Sequence, residues 1–404
     1  MIKNFPLLGC IVITLVLIEW IAICFFGFGG YGSRGGWYDF AYFFAAGKCW
    51  LAKQDPYNFE TFSTAFRSVL PAAKPDPFPY PPMFAPFCMI FASIDWQYAM
   101  NFSILLNFIA AGCLAFIAVK AVLDAKAPRP ASDMFLTRWL LPCIVMGLPF
   151  TIHQAWLGQV TLMAGVFIFG SWYLAQRNQT ILAGVLLGMA FFKPQYVLLP
   201  AVYLILERRW KLLGVAIATS LLLAIYPLSL FGPISAMRSW LSALAQYQAN
   251  MAANALGSEN VMGLPSTLAS LGIKVPSAFV LVLGGAILVV LLWKYKDYFC
   301  PDDLLPIIIL IQFCLVYAKY VDLALLAPVF AAIWLHIAHR KKLWIGPAIA
   351  LVALFIPRRL YTSFSIPVLL HFRSFVVLGL FIFLLVLSWQ FVKSKQLRYV
   401  EEQP

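Results

Sequence analysis

The sequence predicts an all-α, polytopic membrane protein, and three observations carry that expectation. Of its 404 residues, 63% are hydrophobic and 11% charged, whereas a soluble domain carries about 25% charged residues. The apolar residues fall in runs between short polar turns, enough at ~20 residues per crossing for about twelve spans. The basic residues gather between these runs, as in Arg208-Arg209-Lys211 and His339-Arg340-Lys341-Lys342, where they act as topology signals. The net charge of +13 therefore reads as membrane orientation, and no nucleic-acid partner is expected. The eight cysteines are scattered without a CxxC and the four histidines do not cluster, so neither a disulfide framework nor a metal site is expected. The loops expected on the cytoplasmic side are short and basic, without a Gly-rich phosphate loop or a DxD pair, so no nucleotide site and no cofactor are expected.

Taken in order, the first apolar run, Phe5 to Phe26, follows Lys3 and is too long for the h-region of a cleaved signal peptide. It reads as a retained signal anchor with the N-terminus in the cytoplasm. Residues 28–96 then form a first outer loop. Within it, Asp39 to Ala52 sets Phe40, Phe43, Phe44 and Leu51 against Lys48 and Lys53, which predicts an amphipathic helix lying on the membrane surface. Asp55-Pro56 breaks it, and a second short helix is expected from Glu60 to Leu70. Pro75 to Pro82 is a rigid extended piece. Met83 to Ile94 is too short to span and reads as interfacial or re-entrant.

The remaining spans are expected near 97–122, 138–152, 159–175, 180–192, 195–207, 211–230, 277–293, 304–318, 322–338, 343–356 and 366–392. Both termini are then cytoplasmic. The whole chain, 1–404, reads as one integral membrane unit: a core over 1–230 that includes the first outer loop, then a second outer loop and further helices over 231–404. The helices on either side of Lys193-Pro194 are short, and exposed backbone there is tolerable only where it lines a cavity or packs on protein.

With this topology the polar residues of several outer loops converge at one edge. Asp39, just past the first span and among aromatic residues, reads either as a solvated loop residue or as a general base at the rim of a membrane-embedded cavity. Asp55 suits a helix cap as well as a catalytic role. Lys193 is a cation in an apolar run, costly at mid-span and a marker of a pathway or ligand partner. At a helix-hairpin apex, with Gln195 beside it, its ammonium suits a phosphate. His153-Gln154 and Gly158-Gln159 lie in the next outer turn, where Gln159 could orient a sugar hydroxyl. Glu259-Asn260 lies in the second outer loop. Lys319 and Asp322, between two short spans, read either as an ion pair with each other or as substrate contacts. Arg358 and Arg359 depart from the positive-inside trend and call for an anionic ligand or partner.

The order of these motifs resembles the GT-C membrane glycosyltransferases and, within them, glycosyltransferase family 87, which includes polyprenyl-phosphate-mannose-dependent α-mannosyltransferases. The resemblance rests on Asp39-Phe40-x-Tyr42, Gly47, Asp55-Pro56-Tyr57, Tyr80-Pro81-Pro82, Gly158-Gln159, Gly184/Gly188 with Lys193-Pro194, and Glu259-Asn260 with Gly263. The chain departs from it where a Ser-Pro element would precede the tenth span and Tyr317-Ala318-Lys319-Tyr320 stands instead. The resemblance implies a GT-C fold in the bacterial cytoplasmic membrane, with its active site facing outward. It implies a sugar donor on a polyprenyl phosphate, entering from the lipid bilayer, and a lipid or glycan acceptor. It also implies inverting transfer with Asp39 as general base. Because a phosphate leaving group gains charge as the sugar bond breaks, Lys193, with Arg358 or Arg359, would stabilise it, and Tyr42, Asp55, Tyr80, His153, Gln154, Gln159, Gln195, Asn260, Lys319 and Asp322 are the candidate substrate contacts. Two other readings stand beside it. An O-antigen ligase or polymerase would carry its large outer loop late in the chain, whereas here the largest is the first. A secondary transporter would show internal repeats and midplane polar residues.

Overall fold

The computed structural model describes residues 5–26, 38–124, 131–250, 255–258, 260–276, 279–315, 318–337, 341–356, 360 and 366–401. Glu259, Arg358 and Arg359 lie outside the described residues. Among the described residues the regular secondary structure is helical apart from one two-residue antiparallel pairing, β1 (Val261–Met262) with β2 (Ala318–Lys319), which sets Val261 opposite Lys319.

The long apolar runs become helices. α1 (Phe5–Phe26) is tied by the Trp20 indole to the carbonyl of Met146 at 2.9 Å. The segment after α1 holds α2 (Tyr38–Leu51), α3 (Phe59–Arg67) and α4 (Ala85–Ala92), and α5 (Trp96–Asp124) follows. The expected span at 138–152 is a bent pair, α6 (Ala131–Gly147) and α7 (Pro149–Leu157), meeting at 48°. Pro149 opens α7 without an N–H to bond back, so the helix cannot run through Leu148. Next come α8 (Thr161–Gln176), α9 (Thr180–Ala190), α10 (Pro194–Leu206) and α11 (Trp210–Phe231). The stretch from 231 to 276 contains two helices that periodicity did not reveal, α12 (Pro233–Asn250) and α13 (Leu264–Ser270). A π-turn over Val280–Gly285 runs into α14 (Ala286–Lys294), and α15 (Leu304–Leu315) comes next. A 3-10 stretch, Tyr320–Leu326, leads into α16 (Ala327–Ile337), followed by α17 (Ile345–Phe355) and α18 (Phe372–Glu401).

Among the described residues, four helices are long and apolar enough to cross a membrane unaided: Trp96–Asp124, Trp210–Phe231, Tyr320–Ile337 and Phe372–Ser394. The bent pair α6–α7 makes a fifth if it counts as one crossing. Seven further apolar helices are shorter than this. The protein is thus a helical membrane protein in which many of the apolar helices are short. α9 and α11 meet backbone to backbone, because Gly184 and Gly188 face the carbonyls of Leu212 and Ala216. A Cβ on either glycine would sit 2.7 or 2.5 Å from those oxygens. This is the small-residue packing by which membrane helices approach closely.

α2 is not the amphipathic surface helix that its spacing predicts. Every residue from Phe40 to Gly47 is buried, and only Lys48 and Leu51 are exposed. Phe40 stacks on Trp96 with ring centroids 5.5 Å apart and meets Phe91 edge-on at 5.0 Å. Phe43 packs edge-on against Tyr80 and Phe84. The second short helix, α3, is amphipathic as read: Phe62 and Phe66 are buried and Asn58 caps its N-terminus. At eight residues α4 is about 12 Å long, far below the ~30 Å hydrocarbon thickness, and it packs beneath α2.

Two apolar cores result. One joins the bundle helices, from Trp20 through Leu387. The other is an aromatic cluster of α2, α3, α4 and Phe78, closed below by Val160, Ala164, Phe192 and Ala243. The second core caps one end of the bundle. Basic and acidic side chains meet at the opposite end, where Asp124 binds Arg177 and Lys296 binds Glu207.

Candidate active site

The capped end gathers most of the polar residues singled out in the sequence. Asp39 stands in the first turn of α2, half-buried, with α2 pinned by the aromatic cluster. The turn between α7 and α8 approaches it closely. Gly158 adopts φ +68° as the C-cap of α7, and a Cβ there would collide with the Cβ of Phe40. Only glycine permits this left-handed turn at that separation. The turn is locked by Gly158 N–H to Ala155 O at 3.1 Å and Gln159 N–H to Gln154 O at 2.9 Å.

Gln159 is thereby carried to Asp39. Its Nε2 donates to Asp39 Oδ2 at 2.7 Å, and its Oε1 accepts from the Tyr80 hydroxyl at 3.0 Å. Tyr80 is fixed in turn: its carbonyl accepts from the Tyr57 hydroxyl at 2.9 Å, and the Trp240 indole holds the carbonyl of Pro79 at 3.0 Å. Burial, and then the charge of Asp39, push the Tyr80 phenol well above its ordinary value, so it stays protonated and donates.

A second set lies just behind. Thr161, at the start of α8, donates to Asp322 Oδ1 at 2.6 Å, and the Lys193 ammonium reaches Asp322 Oδ1 at 3.0 Å and Thr161 Oγ1 at 2.5 Å. The Lys193 and Asp322 side chains are 5% and 6% exposed. The hairpin apex at Lys193-Pro194 is present, but its ammonium points inward onto a carboxylate and is not an open cation. The expected Lys319–Asp322 pair does not form. Lys319 donates its backbone N–H to Asp322 Oδ2 at 3.3 Å, and its ammonium bonds the Tyr247 hydroxyl at 2.6 Å. Lys319 sits in β2 with extended backbone, which turns its side chain away from that of Asp322.

Tyr42 and Asp76 form a third, adjoining group. The Tyr42 hydroxyl accepts from Asp76 N–H at 2.6 Å and donates to Asp76 Oδ2 at 3.3 Å. Burial raises the Asp76 carboxyl above its usual range, and the charge of Asp39 adds to this against the opposing pull of Tyr42 and Lys319. Tyr247 is raised by burial first, with Lys319 opposing and Asp39 reinforcing.

The other predicted residues are dispersed. Gln154 is buried and spends its Nε2 on the carbonyl of Val321 at 2.7 Å, bracing the 3-10 stretch. His153 lies between the rings of Trp156 and Tyr320, at 5.3 and 5.7 Å. Asn260 accepts from Tyr320 N–H at 3.2 Å through its backbone, continuing the β1–β2 pairing. Gln195 is half-buried in the first turn of α10. Asp55 accepts from Tyr57 N–H at 2.9 Å and closes the Asp-Pro-Tyr turn, apart from Asp39. Thr161, Asp76 and Tyr247 were not singled out. Asp76 stood in view between two prolines, whereas Tyr247 carried no signal. Among the described residues, no three His, Cys, Asp or Glu side chains come together as metal ligands would.

Fold and site together define a helical membrane protein whose capped end encloses a tethered carboxylate beside cationic and phenolic side chains. The chain belongs to glycosyltransferase family 87, whose sequence model matches residues 78–316. It is accordingly a membrane glycosyltransferase. The match takes in Tyr80, Gln159 and Lys193, while Asp39 precedes it and Lys319 and Asp322 follow it. No curated protein and no solved structure matches the chain.

Proposed function

We propose that this glycosyltransferase moves mannose from a polyprenyl-phosphate donor to a hydroxyl of a lipid or glycan acceptor, with inversion, and that Asp39 is the general base. The observation that carries the reading is the Asp39 carboxylate, held by one oxygen to Gln159 in a half-buried site. Its other oxygen makes no hydrogen bond among the described residues. The acceptor O–H gives its proton to Asp39 as its oxygen attacks the anomeric carbon. The bond from that carbon to the phosphate oxygen breaks, and polyprenyl phosphate leaves with the electron pair. A positioned base of this kind contributes typically ~10²–10⁴-fold.

Charge gathers on the phosphate as it leaves, so a nearby cation lowers the barrier. We assign this to Lys319, whose ammonium bonds Tyr247, a phenol on which Asp39 also acts electrostatically. Lys193, bound to Asp322 and Thr161, is assigned instead to holding the hairpin and the 3-10 stretch together. Arg358 and Arg359 remain in the proposal as further phosphate ligands, by their place in the sequence.

The orientation proposed is a GT-C-type arrangement of about twelve crossings in the bacterial cytoplasmic membrane, with the capped end outward and both termini cytoplasmic. The concentration of Arg177, Arg208, Arg209, Lys211 and Lys296 toward the other end supports it. The test is transfer of radiolabel from polyprenyl-phosphate-mannose in membranes expressing wild type, Asp39→Asn or Lys319→Ala. The reading expects an active wild type, an inactive but folded Asp39→Asn, and a raised donor requirement for Lys319→Ala. A wild type that consumes no donor refutes the function, and an active Asp39→Asn refutes the base.

A further inference from the structure

The sequence suggests Gln159 and Tyr80 as side chains that hold substrate hydroxyls, but their bonds are already made within the protein. Asp39, as a carboxylate, only accepts hydrogen bonds. The Gln159 amide must therefore turn its NH2 to Asp39 and its oxygen to Tyr80, as observed. Tyr80 is then obliged to donate. Each link is fixed from behind. The backbone of Gln159 is locked into the C-cap of α7. The Tyr80 ring is wedged between Phe43, Phe78 and Phe84, and proline lies on either side of it in sequence. Gln159 is 5% exposed, so water does not compete for its amide.

We infer that Gln159 and Tyr80 are positioning residues for Asp39: a hydroxyl-to-amide-to-carboxylate chain tethers Oδ2 and leaves Oδ1 aimed as the proton acceptor. The inference rests on the reading of Asp39 as base. Its energetic content is orientation. A carboxylate free to rotate presents either oxygen over a wide arc, while one pinned through Oδ2 presents a single lone-pair direction to the incoming hydroxyl. The titratable groups on which Asp39 acts electrostatically are Tyr38 on its own helix, Asp76 and Tyr80 in the extended segment, and Tyr247 on α12. Variants at Gln159 leave the contacts of Tyr38, Asp76 and Tyr247 untouched, and Gln159→Glu keeps an acceptor for the Tyr80 hydroxyl.

The test uses full-length protein in detergent with radiolabelled polyprenyl-phosphate-mannose and extracted membrane glycolipids as acceptors. Gln159→Leu is expected to lower kcat by about 10²-fold, as misplacement of a reacting group by ~1 Å does, with donor KM little changed. Tyr80→Phe is expected to lower kcat less. The double variant is expected to be no worse than Gln159→Leu alone, since both act through one chain. Gln159→Glu keeps the shape but sets a second carboxyl against Asp39, so the acidic limb of the pH profile of kcat/KM is expected to move to higher pH. The limb reports only that residue 159 lies against the base; a merely structural role would lower activity in step with the folded fraction, whereas kcat per folded protein is expected to fall here, and if Gln159→Leu fails to fold, Tyr80→Phe, which removes a single hydroxyl, decides. Wild-type kcat in Gln159→Leu, losses that multiply in the double variant, or an unmoved limb in Gln159→Glu each overturn the inference. Asp39→Asn is run alongside. If it is inactive while Gln159→Leu is normal, the base stands and the positioning chain falls. If it is active while Gln159→Leu is inactive, the base reading falls and Gln159 acts on substrate directly.

Discussion

Removing one partner of the Lys193–Asp322 pair is expected to be among the most damaging single changes in the protein. At 3.0 Å, two unit charges attract by ~5.5 kcal/mol at an effective dielectric of about 20. Against this stands a desolvation penalty of several kcal/mol per buried ion, so the net worth of the pair is small. The cost of breaking it is not small. Asp322→Ala leaves the Lys193 ammonium, 5% exposed, with Thr161 as its remaining hydrogen-bond partner, and an uncompensated charge of that kind costs ~3–5 kcal/mol. Lys193→Met strands the Asp322 carboxylate similarly. The double variant Lys193→Met/Asp322→Leu removes both charges and is expected to lie close to wild type, far from the ~6–10 kcal/mol that adding the singles would give. The assay is thermal unfolding of the detergent-solubilised protein, followed by monodispersity on size exclusion, for wild type, both singles and the double. Additive losses, with the double variant the least stable of the four, would refute the assignment of Asp322 as the counter-ion of Lys193.

Three further outcomes are expected. Gly158→Ala forces a side chain into a φ of +68° and against Phe40, so it should cost ~1–3 kcal/mol in backbone strain alone and lower transfer activity by displacing Gln159. Asp76→Asn should stabilise the protein at neutral pH. The Asp76 carboxyl is raised in the folded state by burial, so its contribution is fully present below the unfolded value of about 3.9 and is lost as pH rises through the folded value. The advantage of the variant should therefore shrink as melting is measured at successively lower pH. Asn58→Ala removes the cap that accepts from Glu60 and Thr61 N–H at 3.1 and 3.2 Å; it should cost about 1 kcal/mol and raise proteolytic sensitivity within α3 while leaving transfer intact.

Helix existence was legible because it depends on local apolar runs, and each run from 97 onward has a helix at its place. Which face of a helix is covered depends on distant residues, and there the reading failed. α2 looked amphipathic because two lysines stood opposite four large apolar residues. Its cover comes from α3, α4 and the start of α5, and from side chains as remote as Ala243. Charge partners behaved the same way. A lysine in an apolar run announced that Lys193 needs a partner, but that partner lies 129 residues on. The nearer Lys319, three residues from Asp322, turned away because it begins in extended backbone. Asp39 and Gln159 were each singled out alone. Their bond joins residues 120 apart, across a turn whose closeness only Gly158 foreshadowed.

The aromatic cap has a consequence for how the chain is made. Its core is closed by Val160, Ala164, Phe192 and Ala243, all synthesised well after α4 ends at Ala92. At about 5–20 residues per second, the segment holding α2, α3 and α4 waits roughly 8–30 s before its last closing residue is made. Throughout that interval Phe62, Phe66 and Phe78 have no completed core to enter. The segment is therefore open to chaperones and proteases while the later helices are made. Truncations that end before Ala243 should leave it open, and longer ones should close it.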